Sequence, residues 1–477
     1  MKKTILPKVF FFAILMSFCE TVCAQLMSGV TSAKETCDVV SIVSPQIATL
    51  KNCIMRSHYQ NAALTYYEQS IYDPSANTNT EANFFLYNHQ ASSAYRFKLP
   101  DDVHVLDFEQ LDSSPIVAFC GYKTDLSAPF SEVAVIGWFT PTTGSSINIY
   151  CVTIPELSRV TRITPLMNTT GEYYCAAIGR MYLNPGWQSV IVRAKMPNLV
   201  VPPYQVALFP VRYGEVLWDI VKTEKHIVFI GSDCTERSMC LRKEKQNDFI
   251  NSMINDLNNI YCYEEPDGDA NTPWTGTFLG NELHRTGENI ATGGPLTDNN
   301  QQIWSRYRVF DITTMNNTHA QQFPLYTKIE TLGLTYLHSS DIIASLQGAD
   351  PENGDYKTTV MLLKPYPPLD YSTNAVQDPE RHYFSIDNLN QSSTIGNHFL
   401  LGGFAPNGLS WFLKNSSSVV SPNGCNDIKP FDIKVIPTVP TNVDTDILNV
   451  ISPIHEIEII NTTVDHLQPQ PYIYCFD

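Results

Sequence analysis

Short apolar runs and polar turns follow one another along this chain in a recurring order. The stretch "VHVLDFEQLDSSPIVAFCGY" (103–122) reads as an apolar strand, a polar turn and a second apolar strand running into Gly121. The same order returns in "VLWDIVKTEKHIVFIGSD" (216–233), closing on Gly231, and in "KIETLGLTYLHSSDIIASLQG" (328–348), closing on Gly348. Fainter copies, "YYCAAIGRMY", "NIATGGPL" and "HFLLGGFAPNGLSWFL", place Gly179, Gly294 and Gly403 in the same role. Successive glycines stand 52 to 63 residues apart, the spacing of a repeat architecture whose units bury their faces against neighbours.

A third apolar segment follows most of these glycines, as in "VAVIGWF" (133–139) and "TTVMLL" (358–363), and a fourth in "INIYCVTI" (147–154) and "YQVALFPV" (204–211). Four short strands per unit predict an all-β fold of the β-propeller kind, with residues 25–477 as its single domain. The six glycine-marked units leave "NFFLYNHQASSAYRFKL" (83–99) and the C-terminal "FDIKVIP", "ILNVI", "HEIEII" and "YIYCF". Strands from both chain ends sharing one blade close the ring without an open edge and make seven blades, six being the alternative. One segment departs from the pattern. "EKQNDFINSMINDLNNIY" (244–261) puts Phe249, Met253, Leu257 and Ile260 at helical spacing, which predicts a short helical insertion covering part of a blade face.

The N-terminus changes the setting. "MKKTILPKVFFFAILMSFCETVCAQ" has a basic start, an apolar stretch and a small-residue exit, so residues 1–24 read as a signal peptide cut near Ala24. The apolar stretch is too short for a membrane span of about 20 residues, and no later segment qualifies. Phe18 and Val22 precede Cys19 and Cys23, where an acylated cysteine needs a small residue, so no lipid anchor is expected. The expectation is a secreted, periplasmic or cell-surface protein.

Charge narrows the partners. The net charge of -17 repels phosphate backbones, which argues against nucleic acid and anionic membranes. Of twelve cysteines, all but Cys19 and Cys23 lie beyond the leader, and an exported chain with an even count favours disulfides. Cys234 and Cys240, in "CTERSMC", are the most local candidate pair.

Catalytic signatures are absent: there is no HExxH, no GxSxG elbow and no phosphate-cradling loop, and "APNGLSW" (405–411) lacks the Ser and Asp of a sialidase Asp box. Glycosidase chemistry needs two carboxylates about 5 to 9.5 Å apart. Asp107 and Asp219 stand in equivalent first-strand positions that a propeller turns toward its channel, and they are the carboxylates this sequence nominates. With 48 acidic residues in the chain, surface or channel-solvating roles are the commoner outcome for such a pair. Asp267, Asp269 and Asn271 alternate as calcium ligands do, but Thr272 stands where an EF-hand loop needs glycine, so a solvated turn is expected, with no metal and no cofactor. Six tryptophans are spread over the units; most are expected in the core, and exposed ones suit stacking on sugars.

The phrase "VAFCGYK...VAVIGWF" (117–139) resembles uncharacterised secreted β-propeller-like proteins of host-associated Gram-negative bacteria, most strongly over residues 103–139. That resemblance implies a ring of seven or a similar number of blades and carries over no functional residue. The repeats match neither the WD40 nor the kelch pattern. Together these features predict an exported binding or interaction module for a protein or carbohydrate ligand, the alternative being a propeller glycoside hydrolase or lyase.

Overall fold

The computed structural model describes residues 38–473 except the stretches 44–48, 59–61, 74–76, 89–92, 112–113, 126–130, 184–185, 197–203, 234–237, 252–255, 265–273, 280–287, 298–302, 325–327, 337–341, 350–355, 364–370, 377–381, 389–397, 406–407, 416–426, 429–433, 436–440, 445–453, 456 and 468–469. Among the described residues the chain is almost entirely antiparallel β-strand. Consecutive strands pair in groups of four spanning 49–98, 103–154, 159–210, 215–264, 275–324 and 328–376. A last group, 382–415, has three such strands and takes Asp38–Val43 as its fourth, paired with Gly408–Asn415.

The first strand of each group lies at one edge of its sheet. Thr49–His58, Val103–Gln110, Arg159–Met167, Glu215–Lys222, Thr275–Phe278, Lys328–Tyr336 and His382–Asn388 each neighbour the next, and His382–Asn388 neighbours Thr49–His58. These inner strands therefore form a closed circuit from which the sheets fan outward.

A bulge recurs where first and second strands pair. The register slips between Leu50 and Asn52, Val105 and Asp107, Val160 and Arg162, Leu217 and Asp219, Ile329 and Thr331, and Tyr383 and Ser385. Opposite the residue before each slip stand Gln69, Gly121, Gly179, Gly231, Gly348 and Gly403 respectively. The recurring glycines thus face a bulge, which brings the inner strand's backbone against them. A Cβ on Gly121 would meet the His104 carbonyl oxygen at 1.8 Å, and one on Gly231 would meet the Val216 carbonyl oxygen at 2.6 Å. The 275–324 group has no slip here; Gly293, not Gly294, lies opposite Thr275.

From the 49–98 group to the 275–324 group, successive groups stack through apolar clusters. Phe84, with Tyr66, Phe97, Phe108, Phe119 and Phe139 around it at 4.8 to 6.0 Å between ring centroids, fills the space between the 49–98 and 103–154 groups. In the middle strand His226–Asp233, every residue from Ile227 to Asp233 is buried, so both of its faces are covered. That is why "HIVFIG" reads as one continuous apolar run instead of an alternation.

The helix is shorter than its spacing predicts, running only over Gln246–Ile250. Leu257 lies in a turn, and Ile260 belongs to the strand Asn259–Glu264, which pairs with Ser238–Lys245. Phe249, Ile250 and Leu257 still pack against Phe209, Val211, Leu217 and Phe229, so the insertion fills the seam between two groups.

Residues 83–99 fall in the four-stranded 49–98 group, where the C-terminal strand Ile457–Leu467 pairs with Ser93–Lys98, and strands from both chain ends meet in the sheet of 382–415, which holds Asp38–Val43 and Gln470–Ile473. Asp427–Ile428, Lys434–Val435, Thr441–Asp444 and Ile454–His455 pair with the outer strands Tyr371–Val376, Asn316–Pro324, Asn259–Glu264 and Tyr204–Pro210. Ile457–Leu467 then bridges Ser146–Ile154 and Ser93–Lys98, and Gln470–Ile473 pairs with Asp38–Val43. The segment runs backward past the groups as an outer belt. Among the described residues, no helix is long and apolar enough to cross a membrane.

Candidate functional site at the inner strands

The bulges aim polar side chains from one inner strand at the next. Asp107 follows the slip in Val103–Gln110; its carboxylate accepts from Arg56 Nη2 at 2.9 Å and from the backbone N–H of Ile163 at 3.2 Å. Asp219 occupies the same place in Glu215–Lys222. It accepts from Gly276 N–H at 2.9 Å and Thr275 Oγ1 at 2.8 Å, and Arg162 Nε lies 3.3 Å away. In both cases an arginine from the preceding inner strand and a backbone N–H from the following one converge on the aspartate. The two nominated carboxylates are therefore equivalent clasps that tie three successive groups together, with their oxygens engaged by the protein itself. Burial raises the Asp219 carboxyl above its ordinary value, against the pull of Arg162 and of the Gly276 and Thr275 donors.

Alternation along Val103–Gln110 puts Glu109 on the same face as Asp107. Glu109 borders a cavity of about 420 Å³ whose lining includes Thr164, Lys222, Glu224, Gly276 and Phe278. Burial pushes the Glu109 carboxyl up to about 7, opposed by the Lys222 ammonium and the Thr164 hydroxyl and reinforced by the charge of Asp107. Lys222 Nζ donates to the Pro165 carbonyl at 3.2 Å, which holds its charge at the cavity wall. The cavity thus offers a carboxyl that changes from hydrogen-bond donor to acceptor near neutral pH, an ammonium group and an aromatic ring. Sequence reasoning passed over Glu109 and Lys222, although the two-residue offset from Asp107 was a signal for the first.

Two other nominated sets fare differently. Cys234, Asp267, Asp269 and Asn271 lie outside the described residues. Among the described residues no disulfide is formed, and the Sγ atoms of Cys240 and Cys262 lie 3.2 Å apart. Cys240 stands directly across from Cys262 on the adjacent strand. Among the tryptophans, Trp138 and Trp274 are buried, while Trp187 is exposed and meets exposed Tyr182 edge-on at 5.5 Å between centroids.

No family model matches the chain, and no curated protein matches it. A solved structure that it resembles is that of the NanB sialidase from Streptococcus pneumoniae in complex with 2-[(3-chlorobenzyl)ammonio]ethanesulfonate, at a TM-score of 0.30 and 9% identity, covering 79% of this chain and 70% of that one.

Proposed function

We propose that this chain is an exported β-propeller of seven blades that works as a binding module, taking a carbohydrate at the cavity beside Glu109 and Lys222. The seven strand groups, the last of them completed by Asp38–Val43, support a count of seven blades. The leader-like pattern of residues 1–24 supports export, and the acidic chain suits a neutral ligand better than a polyanion. The observation that carries the reading is the cavity lining: Glu109, Thr164 and Lys222 supply donors and acceptors for hydroxyl groups, and Phe278 a ring for a sugar face. A protein ligand is the other class this architecture accommodates, but a cavity of about 420 Å³ fits one or two sugar rings better than a flat protein epitope.

The second reading, a propeller glycoside hydrolase or lyase, is favoured by Glu109 alone. A carboxyl raised to about 7 is suited to protonate a leaving group near neutral pH. Asp107 and Asp219, held in their clasps, are less suited to attack or activate water.

Calorimetric titration of the mature chain with a panel of neutral and acidic oligosaccharides tests the proposal. One class is expected to bind, and Glu109→Gln or Lys222→Ala to weaken it by roughly tenfold or more, about 1.4 kcal/mol. Binding that is unchanged in both variants, or absent for every member of the panel, contradicts it. Turnover of a bound glycan that Glu109→Gln abolishes selects the enzyme reading.

A further inference from the structure

We propose that Asp233, Cys240 and Cys262 form a buried site for a thiophilic divalent cation, with zinc the cation this ligand set suits best. The site is independent of the cavity at the inner strands.

The three residues come from three adjacent strands of one sheet, His226–Asp233, Ser238–Lys245 and Asn259–Glu264. Register places them on one face: Cys240 lies across from Cys262, and Asp233 lies across from Ser238, two residues from Cys240. One ligand atom from each falls within 4.8 Å of the other two, and the two sulfurs are 3.2 Å apart. Zinc–sulfur bonds of about 2.3 Å and zinc–oxygen bonds of about 2.0 to 2.2 Å span such separations with small adjustments of the side chains. Ser238 Oγ lies 3.5 Å from Cys240 Sγ.

Burial and charge favour the same conclusion. Asp233, Cys240 and Cys262 are each at most 2% exposed, so a charged cluster there must be internally balanced. Arg212 forms an ion pair with Asp233. Two thiolates and one carboxylate against a divalent cation and one guanidinium sum to zero, and so do two neutral thiols with the Asp233–Arg212 pair alone. Both the loaded and the empty states are thus electrically neutral, and loading releases two thiol protons to solvent. Two soft sulfur donors with one carboxylate select zinc over calcium or magnesium, which require oxygen sets. The cation would pin together three adjacent strands of the 215–264 sheet.

Cobalt(II) titration of the purified, chelator-stripped protein reads the site directly. The expected result is uptake of one equivalent with sulfur-to-cobalt charge-transfer absorption in the near ultraviolet, displaced by zinc. Cys240→Ser and Cys262→Ser are expected to lose that absorption, and Asp233→Asn to weaken uptake while keeping it. Native mass spectrometry of the unmodified protein keeps the proposal testable if a variant fails to fold, by showing one zinc that is lost on acidification. Absence of uptake by the stripped protein, charge transfer surviving in the Cys240→Ser/Cys262→Ser double variant, or a Cys240–Cys262 cross-linked peptide in non-reducing mass mapping would overturn it.

Discussion

The Cα of Gly121 packs so closely beneath the carbonyl of His104 that a Cβ there would stand 1.8 Å from the oxygen. The neighbour is backbone on the bulged inner strand and cannot swing away. Gly121→Ala is therefore expected to destabilise the fold by ~3 kcal/mol or more, at the upper end of overpacking costs. At Gly179 the first obstacle is Leu157 Cδ1 at 2.8 Å, the end of a side chain that can rotate. Gly179→Ala should cost visibly less, and paired urea melts of the two variants check the order.

Asp107 is expected to act on stability before chemistry. Asp107→Ala removes the acceptor shared by Arg56 and the Ile163 N–H, leaving a buried donor unsatisfied at about 1–3 kcal/mol. A lowered melting temperature with ligand binding intact in the surviving folded fraction is the expected result.

Arg242 and Glu215 form a bidentate pair at 2.7 Å in both contacts, and Arg242 Nη1 also donates to the Leu257 carbonyl at 2.7 Å. Both residues are at most 2% exposed. Arg242→Met strands the Glu215 carboxylate and should cost about 3–5 kcal/mol. The Arg242→Met/Glu215→Leu double variant should recover much of that loss in denaturant melts.

Glu109 gives the fold a pH dependence. Its folded pKa of about 7 lies above the ordinary 4.5, so folding favours the protonated form. The contribution is complete below pH 4.5 and is lost as pH climbs through about 7. Asp219, also raised by burial, acts in the same direction. Urea midpoints of the wild type should decline across that window relative to those of Glu109→Gln.

Removing residues 427–477 takes away the belt and leaves outer strands such as Tyr371–Val376 and Asn316–Pro324 with open edges. Open edges pair with other chains. Light scattering after size exclusion should show oligomers where the full chain is monodisperse.

Much of this architecture was legible because middle strands such as His226–Asp233 are buried on both faces and most second strands carry a glycine opposite a bulge. The 49–98 group escaped that signal because Gln69 occupies the glycine's place. The belt escaped it because strands as short as Asp427–Ile428 and Lys434–Val435 carry no periodicity. Apolar spacing through Leu257 and Ile260 extended the predicted helix into a segment that the sheet claims, since Cys262 and its neighbours pair with Cys240 and its strand. Asp107 and Asp219 were recognisable as equivalent, but their role depends on Arg56 and Arg162, contributed by the preceding inner strands. Lys222 reaches the cavity from a strand more than a hundred residues beyond Glu109, and local pattern holds no trace of that approach.

The proposed ligand site is the inner-strand cavity, apart from the exposed aromatic pair Tyr182 and Trp187. Titrating one bound oligosaccharide into Lys222→Ala and Trp187→Ala side by side separates the two surfaces. Binding weakened roughly tenfold in Lys222→Ala and unchanged in Trp187→Ala is the predicted result. Binding retained in Lys222→Ala and lost in Trp187→Ala would contradict it.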